Sequence, residues 1–351
     1  MLCGLACGLL VAVLSGCQAI SYYRQAIAGE CQILAHQQPI RQLIADPQTP
    51  APLKAKFEQI LKIRQFAAEE LHLPAGQSYL KYVDLHRPYV VWNVNVAPAL
   101  SLAPKTWWFP IVGRASYRGY FNEQDARSYA DEFAKNGWDV YVDGIETYST
   151  LGWFKDPLLN TFINEPDSYL AEIIFHELTH QRLFVPGDTD FNEAFATFVS
   201  IEGVRRWYLA STNSPGYEHF RAGQDQDHQF VNLIMAARER LEAVYDDPKL
   251  LDTAKLARKQ EIIAQLRADH AALKASWGGK SPFDDWFAEP INNAKLNTVS
   301  AYYDLVPAFA ALLRANDGDL GKFYQAVGRL GKMPIQQRRR ELESYPRQQP
   351  P

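Results

Sequence analysis

The stretch that decides the fold is Phe175–Ser200, "FHELTHQRLFVPGDTDFNEAFATFVS". Apolar residues recur three and four positions apart on both sides of Pro186-Gly187, a spacing typical of buried helices. Proline and glycine end helices, so this dipeptide predicts a short turn between two helices. Four bulky residues of the second helix are expected in the core: Phe191, Phe195, Phe198 and Val199. Three small residues are expected where this helix lies close to the first: Ala196, Thr197 and Ser200.

Two histidines of the first helix lie four residues apart in His176-Glu177-Leu178-Thr179-His180, an H-E-x-x-H pattern. Residues with this spacing share one helix face, so both imidazoles can reach a single metal ion. Glu177 is rotated by about 100° and can touch the ion's water without binding the ion. This is the arrangement of a zinc hydrolase, in which zinc lowers the pKa of water and the glutamate takes its proton. The alternative is a core helix with two satisfied histidines.

A catalytic zinc also needs a third protein ligand and one open position. Glu193 lies thirteen residues after His180, in the first turn of the second predicted helix. A tight reversal at Pro186-Gly187 can bring that turn beside the two histidines. The sequence therefore predicts one Zn²⁺ per chain, with His176, His180 and Glu193 as its ligands.

The rest of the chain predicts an α+β fold that is mostly helical. A small mixed sheet over 73–160, with one helix at 122–137, is expected to pack on a helical domain with a long hairpin (217–245 and 249–275). The predicted segments are a signal peptide (1–16), N-terminal helices (17–72), the sheet-containing part (73–160), zinc-binding helices (161–214), the helical hairpin (215–276), C-terminal helices that close the site (277–335) and a polar tail (336–351).

The composition and net charge of the chain indicate which classes of binding partner are expected. The chain has 351 residues, 47% hydrophobic and 22% charged, with a formal net charge of −4. This is ordinary for a globular protein with a real core, and it argues against nucleic acid as a partner. The densest basic run, Arg338-Arg339-Arg340, lies in the polar tail and is interpreted as a solvated helix end.

The N-terminal residues "MLCGLACGLLVAVLSGC" are almost wholly apolar but too short for a comfortable membrane span, so they predict a signal peptide. Leu14-Ser15-Gly16-Cys17 resembles the lipobox of bacterial lipoproteins, although no Lys or Arg precedes the apolar core. The resemblance implies cleavage before Cys17 and acylation of its thiol. The protein would then be tethered by this lipid anchor in the bacterial cell envelope, on the periplasmic face of the outer membrane. A plain signal peptide and an uncleaved anchor are the alternatives.

Cysteine usage agrees with this interpretation. The four cysteines are Cys3, Cys7, Cys17 and Cys31. Cleavage before Cys17 removes two of them and lipidation occupies a third, which leaves Cys31 as a free thiol. A metal ion in the mature protein would therefore be held by His, Asp or Glu.

The combination H-E-L-T-H followed by N-E-A-F-A resembles the gluzincin metallopeptidases, which implies a zincin-like helical domain. The wider pattern is similar to a family of bacterial lipoproteins predicted to be zinc-dependent aminopeptidases. The similar strings span most of the chain after residue 20: "YRGYF" (117–121), "YSTLGWFKDPLL" (148–159), "GDTDFNEAFA" (187–196), "NNAKL" (292–296) and "YYDLVPAF" (302–309).

The resemblance implies roles for several residues. His176, His180 and Glu193 would bind zinc, and Glu177 would act as general base and proton shuttle. Tyr302 is the implied donor to the oxyanion, with Tyr303, His219 and His228 as alternatives. Asp188, Asp190 and Thr197 are candidates to orient a zinc-bound histidine, although Asp190 is equally a candidate helix N-cap.

The resemblance also implies how a peptide or protein substrate would bind. The strand "DVYVDGIETYST" (139–150) would pair with the substrate backbone. Asn293 would hydrogen-bond that backbone, or else cap a helix. The Gly-x-Met-Glu-Asn string of the large gluzincin aminopeptidases is missing, and Glu146 is the candidate that would bind the substrate α-amine in its place. Aminopeptidase action is therefore expected, with an endopeptidase, an amidase or a non-catalytic binding module as alternatives.

Overall fold

A computed structural model describes residues 20–109, 113–147, 156–211, 214–303 and 305–345. The predicted signal peptide, Cys17 and residues 148–155 lie outside these ranges. The helices, in chain order, are α1 (20–35), α2 (Ile40–Ala45), α3 (Ala51–Glu69), α4 (Glu123–Ala134), α5 (Asp167–Arg182), α6 (Thr189–Ala210), α7 (Ser214–Asp246), α8 (Asp252–Ser276), α9 (Asp284–Ala288), α10 (Asn293–Tyr303), α11 (Val306–Ala315), α12 (Leu320–Gly331) and α13 (Ile335–Glu343). The predicted α+β, mostly helical class is confirmed.

The strands are short and form three small sheets where one was predicted. They are β1 (Gln38–Pro39), β2 (Lys81–Val83), β3 (Val91–Ala97), β4 (Trp107–Phe109), β5 (Gly113–Ala115), β6 (Tyr117–Tyr120), β7 (Asp139–Ile145) and β8 (Leu158–Leu159). The sheet β1-β2-β8 is mixed, β6-β3-β7 is antiparallel, and β4-β5 is a separate hairpin. Strands of two or three residues extend no ladder, so only the seven-residue strands β3 and β7 organise a larger surface.

The sheet β6-β3-β7 has two different faces. Trp92, Val94 and Val96 alternate along β3 and are buried against Ala126 and Ala130 of α4. The Asn122 side chain caps α4 by accepting a hydrogen bond from the Asp125 amide at 3.0 Å, as expected for a helix predicted at 122–137. The opposite face of the sheet is turned towards α6 and α10, and it carries polar side chains.

The main core surrounds α5 and α6. Phe175 on α5 and Phe191 and Phe195 on α6 are fully buried, together with residues of α3, α11 and α12. The core predictions for Phe198 and Val199 are also confirmed. A side chain at Gly203 would lie 2.7 Å from the Phe175 ring, so the absence of one lets the two helices approach closely.

The predicted helical hairpin is confirmed as α7 and α8. It has its own apolar cluster, which includes Phe230, Ile234, Leu241 and Leu266 and extends to Leu296 on α10. No helix within the described ranges is both long and apolar enough to cross a membrane.

The C-terminal basic run corrects the prediction of a solvated helix end. Arg338 lies on α13, is only 4% exposed, and forms an ion pair with Asp188. Its guanidinium also donates to the carbonyl oxygens of Leu330 and Met333, at 3.0 and 2.9 Å, and lies over the Phe191 ring. The sequence pattern did not reveal this partner because it lies 150 residues away.

Candidate metal centre

Three side chains from α5 and α6 converge on one point. The Nε2 atoms of His176 and His180 lie 3.1 Å apart. One oxygen of Glu193, Oε2, lies 3.3 Å from the His176 nitrogen and 3.6 Å from the His180 nitrogen. The three residues form the group with metal-ligand potential in the described part of the chain.

These distances test whether the site fits a metal ion. Ligands at about 2.1 Å from a tetrahedral ion lie about 3.4 Å from one another. The three observed separations, 3.1, 3.3 and 3.6 Å, bracket that value. The donor set of two imidazole nitrogens and one carboxylate oxygen could therefore hold one ion without rearrangement, and it leaves a fourth position for water or substrate.

The turn between α5 and α6 is held by its own side chains. The Asn192 side chain accepts from the Val185 amide and donates to the Val185 carbonyl, both at 2.8 Å. Asp188 caps α6 by accepting from the Phe191 amide at 3.3 Å. Because Asn192 precedes Glu193, this clamp fixes where the third ligand enters the site.

Glu193 and Glu177 lie in the same site but have opposite electrostatics. Burial opposes the charge on Glu193, but the two histidines outweigh it and hold the pKa of this carboxyl far below its usual range. Burial dominates at Glu177 and raises its pKa, although His176 and His180 act against it. The Oε2 atom of Glu177 is buried and has no hydrogen-bond partner among the described residues. Glu193 is therefore suited to ligate, and Glu177 to accept a proton.

His180 is also buried. Burial alone would lower the pKa of its imidazole, but the Glu193 carboxylate outweighs it, and the pKa lies above the ordinary value. Its Nδ1 atom has no partner among the described side chains and backbone groups.

The three residues predicted as candidates to orient a zinc-bound histidine make other contacts or have no described contact with one. Asp188 binds Arg338, and Asp190 binds Arg339 at 2.5 Å. Thr197 is buried one turn beyond Glu193 on α6. Asp188, and not Asp190, is the N-cap of α6. The two aspartates therefore bind arginines of α13 at the start of α6, and neither is bonded to a histidine among the described contacts.

Two tyrosines near the site were not singled out from the sequence. Burial raises the pKa of Tyr117, and the nearby Glu193 and Glu177 raise it further. Burial likewise raises the pKa of Tyr79, with smaller effects from Glu177 and Asp156. Tyr117 begins the "YRGYF" string, so the family-like pattern marked its position, but nothing in the pattern said that it faces the metal ligands.

The polar face of the sheet β6-β3-β7 lies over the same region. Strand register places Asn93 beside Asp143 and Asn95 beside both Tyr117 and Tyr141. Side chains that are paired across antiparallel strands point to the same face, so these groups form one polar surface. Strand β7 is an edge of this sheet within the described residues, because β3 is its one paired neighbour there.

Asn293 has a structural setting. It is fully buried, and its side-chain nitrogen, Nδ2, donates to the carbonyl oxygens of Pro98, Ala99 and Ser101 at 2.9 to 3.1 Å. Its side-chain oxygen accepts from the Tyr245 hydroxyl at 2.9 Å. These bonds favour the alternative in which Asn293 fastens a loop and starts a helix.

Glu146 follows directly after β7. Its carboxylate lies 3.4 Å from the Tyr169 hydroxyl on α5, and burial raises its pKa, followed by the effect of Glu165. It is half-buried and lies on the side of the site towards the start of α5. A role for Glu146 in binding an α-amine stays a prediction.

The predicted oxyanion donors are less well placed or lie outside the described side chains. Tyr302 and Tyr303 end α10, and their side chains are outside the described part of the structure. His219 is exposed on α7. Burial lowers the pKa of His228, which lies further along the same helix. The structure brings none of these rings to His176, His180 or Glu193 among its described contacts.

Comparison with known proteins gives one result. Residues 21–342 match the family model described as "Putative aminopeptidase". No curated protein and no solved structure matches the chain. Because the match covers most of the sequence and includes all three metal-ligand candidates, the chain belongs to the putative aminopeptidase family.

Proposed function

We propose that this protein is a gluzincin-type zinc peptidase that removes residues from the N-termini of peptides. The observation that carries the proposal is the ligand geometry. His176, His180 and Glu193 present three donor atoms at tetrahedral separations, and the unpartnered Oε2 of Glu177 lies in the same buried site. Membership of the aminopeptidase family supports peptides as the substrate class.

The two histidines and Glu193 would hold the zinc ion. When bound there, zinc supplies a Lewis acid that lowers the pKa of water and polarises the scissile carbonyl. Glu177 takes the proton of the attacking water and delivers it to the departing amine. Burial raises the pKa of this carboxyl, which makes it a better proton acceptor than an exposed glutamate.

A hydroxyl donor is needed for the negative charge that develops on the carbonyl oxygen. Tyr117 is our first candidate, because it lines one cavity with Glu193, and burial, Glu193 and Glu177 all raise the pKa of its hydroxyl. Tyr302 remains the second. Replacing each by phenylalanine separates them: the donor's loss should lower kcat about 10²- to 10³-fold, as removing one oxyanion donor does elsewhere. The other substitution should change kcat by less than about threefold.

Strand β7 is an edge of its sheet within the described residues, and beyond Val140, whose carbonyl accepts from the Asn292 side chain, it is the proposed docking strand for the substrate backbone. An extended peptide that adds to this edge gains main-chain hydrogen bonds, with no requirement for a particular side chain. Exopeptidase action needs in addition a group that recognises the α-amine, and Glu146 is the earlier candidate for it. An endopeptidase or amidase with the same centre is the alternative if products show internal cuts.

The lipid anchor at Cys17 and an envelope location on the outer membrane are part of the proposal. Metabolic labelling with a palmitate analogue tests them: wild type should incorporate the label and Cys17→Ser should not. Label in both proteins would place the modification at another residue.

The decisive experiment is a peptide-library digest by wild type and Glu177→Gln, with the zinc content of both measured. We expect cleavage by the wild type and its loss, about 10²- to 10⁴-fold, in the variant, with one zinc retained per chain. Equal cleavage by both would remove Glu177 from the mechanism. Wild type without zinc would support the binding-module alternative.

A further inference from the structure

A small cavity adjoins the metal centre on the side of the polar sheet face. Its volume is about 160 Å³, and its lining includes Glu193 of α6, Asn93 and Asp143 of the sheet, and Arg238 of α7. Pockets for drug-sized ligands occupy roughly 300–1,000 Å³. This cavity has room for about one amino-acid residue.

Asp143 is the unusual group in this lining. Its carboxylate accepts one side-chain hydrogen bond, from the Tyr141 hydroxyl at 3.3 Å, and it forms no ion pair with any described residue. Lys295, whose charge acts to lower the pKa of Asp143, is held by Glu289 at 2.8 Å and by the Trp286 carbonyl at 2.7 Å. Burial raises the pKa of Asp143 to about 6, against the opposing effect of Tyr141.

A carboxylate in this setting costs free energy, because it has left water without gaining a cation. It is still largely ionised at neutral pH. The amide of Asn93 lies beside it in strand register, on the same face. Arg238 donates to the Asn297 side chain on the helical wall of the cavity. The sheet wall therefore presents negative charge and amide groups to whatever enters.

We propose that this cavity receives a cationic group of the substrate, with the Asp143 carboxylate as its recognition group. The chemistry is an alkylammonium or a guanidinium, supplied either by the α-amine of a terminal residue or by a Lys or Arg side chain. The assignment rests on the proposed function only in that Glu193, a metal ligand, lines the same cavity. Asp143 is then a specificity-determining residue, and Glu146 is not required as the amine anchor.

Binding can be measured without turnover. The zinc-loaded Glu177→Gln protein is titrated calorimetrically, at millimolar concentrations, with leucinamide, N-acetyl-leucinamide, N-acetyl-lysinamide and N-acetyl-glutamic acid amide. The same titrations are repeated with Asp143→Asn added. Cationic ligands should bind about 10- to 100-fold more tightly when Asp143 is retained than when Asp143→Asn is present, the range for a hydrogen bond to a charged group.

The ligand set separates the two sources of the cation. Loss confined to leucinamide assigns the α-amine, and loss confined to N-acetyl-lysinamide assigns a basic side chain. Equal affinities in both proteins, no binding of either cation, or preferred binding of the glutamic acid derivative would each overturn the proposal. A protein that binds the cation but cleaves no peptide would refute the peptidase assignment and leave the cavity assignment standing.

Controls guard against a structural effect. Asp131→Asn removes an exposed carboxylate on α4 and should leave every titration unchanged. Glu146→Gln tests the earlier candidate in the same assay. Asp143→Glu keeps the charge and should restore most of the affinity, whereas an Asp143→Asn protein with a lowered melting temperature and uniformly weakened binding would indicate a packing role.

Discussion

Two pairs of neighbouring helices in this molecule are joined in different ways. The connection from α5 to α6 is held by Asn192, by Asp188 and by the distant Arg338. The connection from α7 to α8 is local: the Lys249 amide donates to the Asp247 side chain at 2.8 Å, and Leu251 is 76% exposed. The turn that places the candidate metal ligand Glu193 is fastened by its own side chains and by a distant arginine, whereas the turn that only reverses direction has local contacts.

The largest effect should come from the ligand that the α5–α6 turn delivers. Glu193→Gln keeps the shape of the side chain but weakens it as a ligand. We expect zinc affinity to fall by more than about 100-fold, since even partners of the ligands contribute about 10- to 100-fold. Competition with a chromophoric chelator measures this. Affinity within about threefold of wild type would show that Glu193 is not a ligand.

The next effect should come from the ion pair between Arg338 of α13 and Asp188 at the start of α6. Arg338→Met leaves Asp188 as a buried carboxylate without its cation, which costs about 3–5 kcal/mol in unfolding free energy. Chemical denaturation measures this, and zinc affinity should fall by about tenfold because the turn loosens. The matched control is Arg339→Met, whose pair with Asp190 is half-exposed and contributes at most about 1 kcal/mol. Equal losses of unfolding free energy in the two variants would show that the pair between Arg338 and Asp188 does not stabilise the turn.

Two carboxylates, one on α5 and one on α7, should make the stability of the protein depend on pH. Burial raises the pKa of Glu172 on α5 to about 8, with a further contribution from Asp227 on α7, whose own pKa burial raises to about 6. A raised pKa means that stability is full below the unfolded value, near 4.5, and is lost as pH rises towards 8.

Glu172→Gln should reduce this loss, because the raised pKa of Asp227 remains. The wild type should lose on the order of 2 kcal/mol of unfolding free energy between about pH 5 and pH 8, and the variant should lose less. Denaturation series at several pH values provide the measurement. Parallel pH profiles for the two proteins would mean that Glu172 is ionised throughout this range.

The smallest effect should be on the hairpin surface. Arg258 lies on α8 and forms an exposed ion pair with Glu261 at 2.8 Å. Arg258→Ala should change the unfolding free energy by about 0.5 kcal/mol or less and leave zinc affinity unchanged. A loss of unfolding free energy comparable to that of Arg338→Met would contradict the contrast between the α5–α6 connection and the α7–α8 hairpin.

Local pattern was enough for the longer helices, such as α3, α5 and α6, and for the candidate ligands. The spacing of His176 and His180 places them on one face wherever the segment is helical, and a turn was predictable at Pro186-Gly187, although α5 already ends at Arg182. The hairpin was also predictable, because its apolar stripe repeats at helical spacing over both long helices. The strands were less predictable, since two- and three-residue strands depend on neighbours that periodicity does not identify.

The sequence by itself determined which residue types can bind metal and which helices carry them, because a period of about 3.6 residues is a property of the local chain. Only the tertiary structure decided that Arg338 is buried against Asp188, that Asn293 fastens a loop, and that Tyr117 and Asp143 line one cavity with Glu193. These placements depend on contacts between residues far apart in sequence. Such contacts form where burial and charge are balanced across the whole fold, which no local pattern encodes.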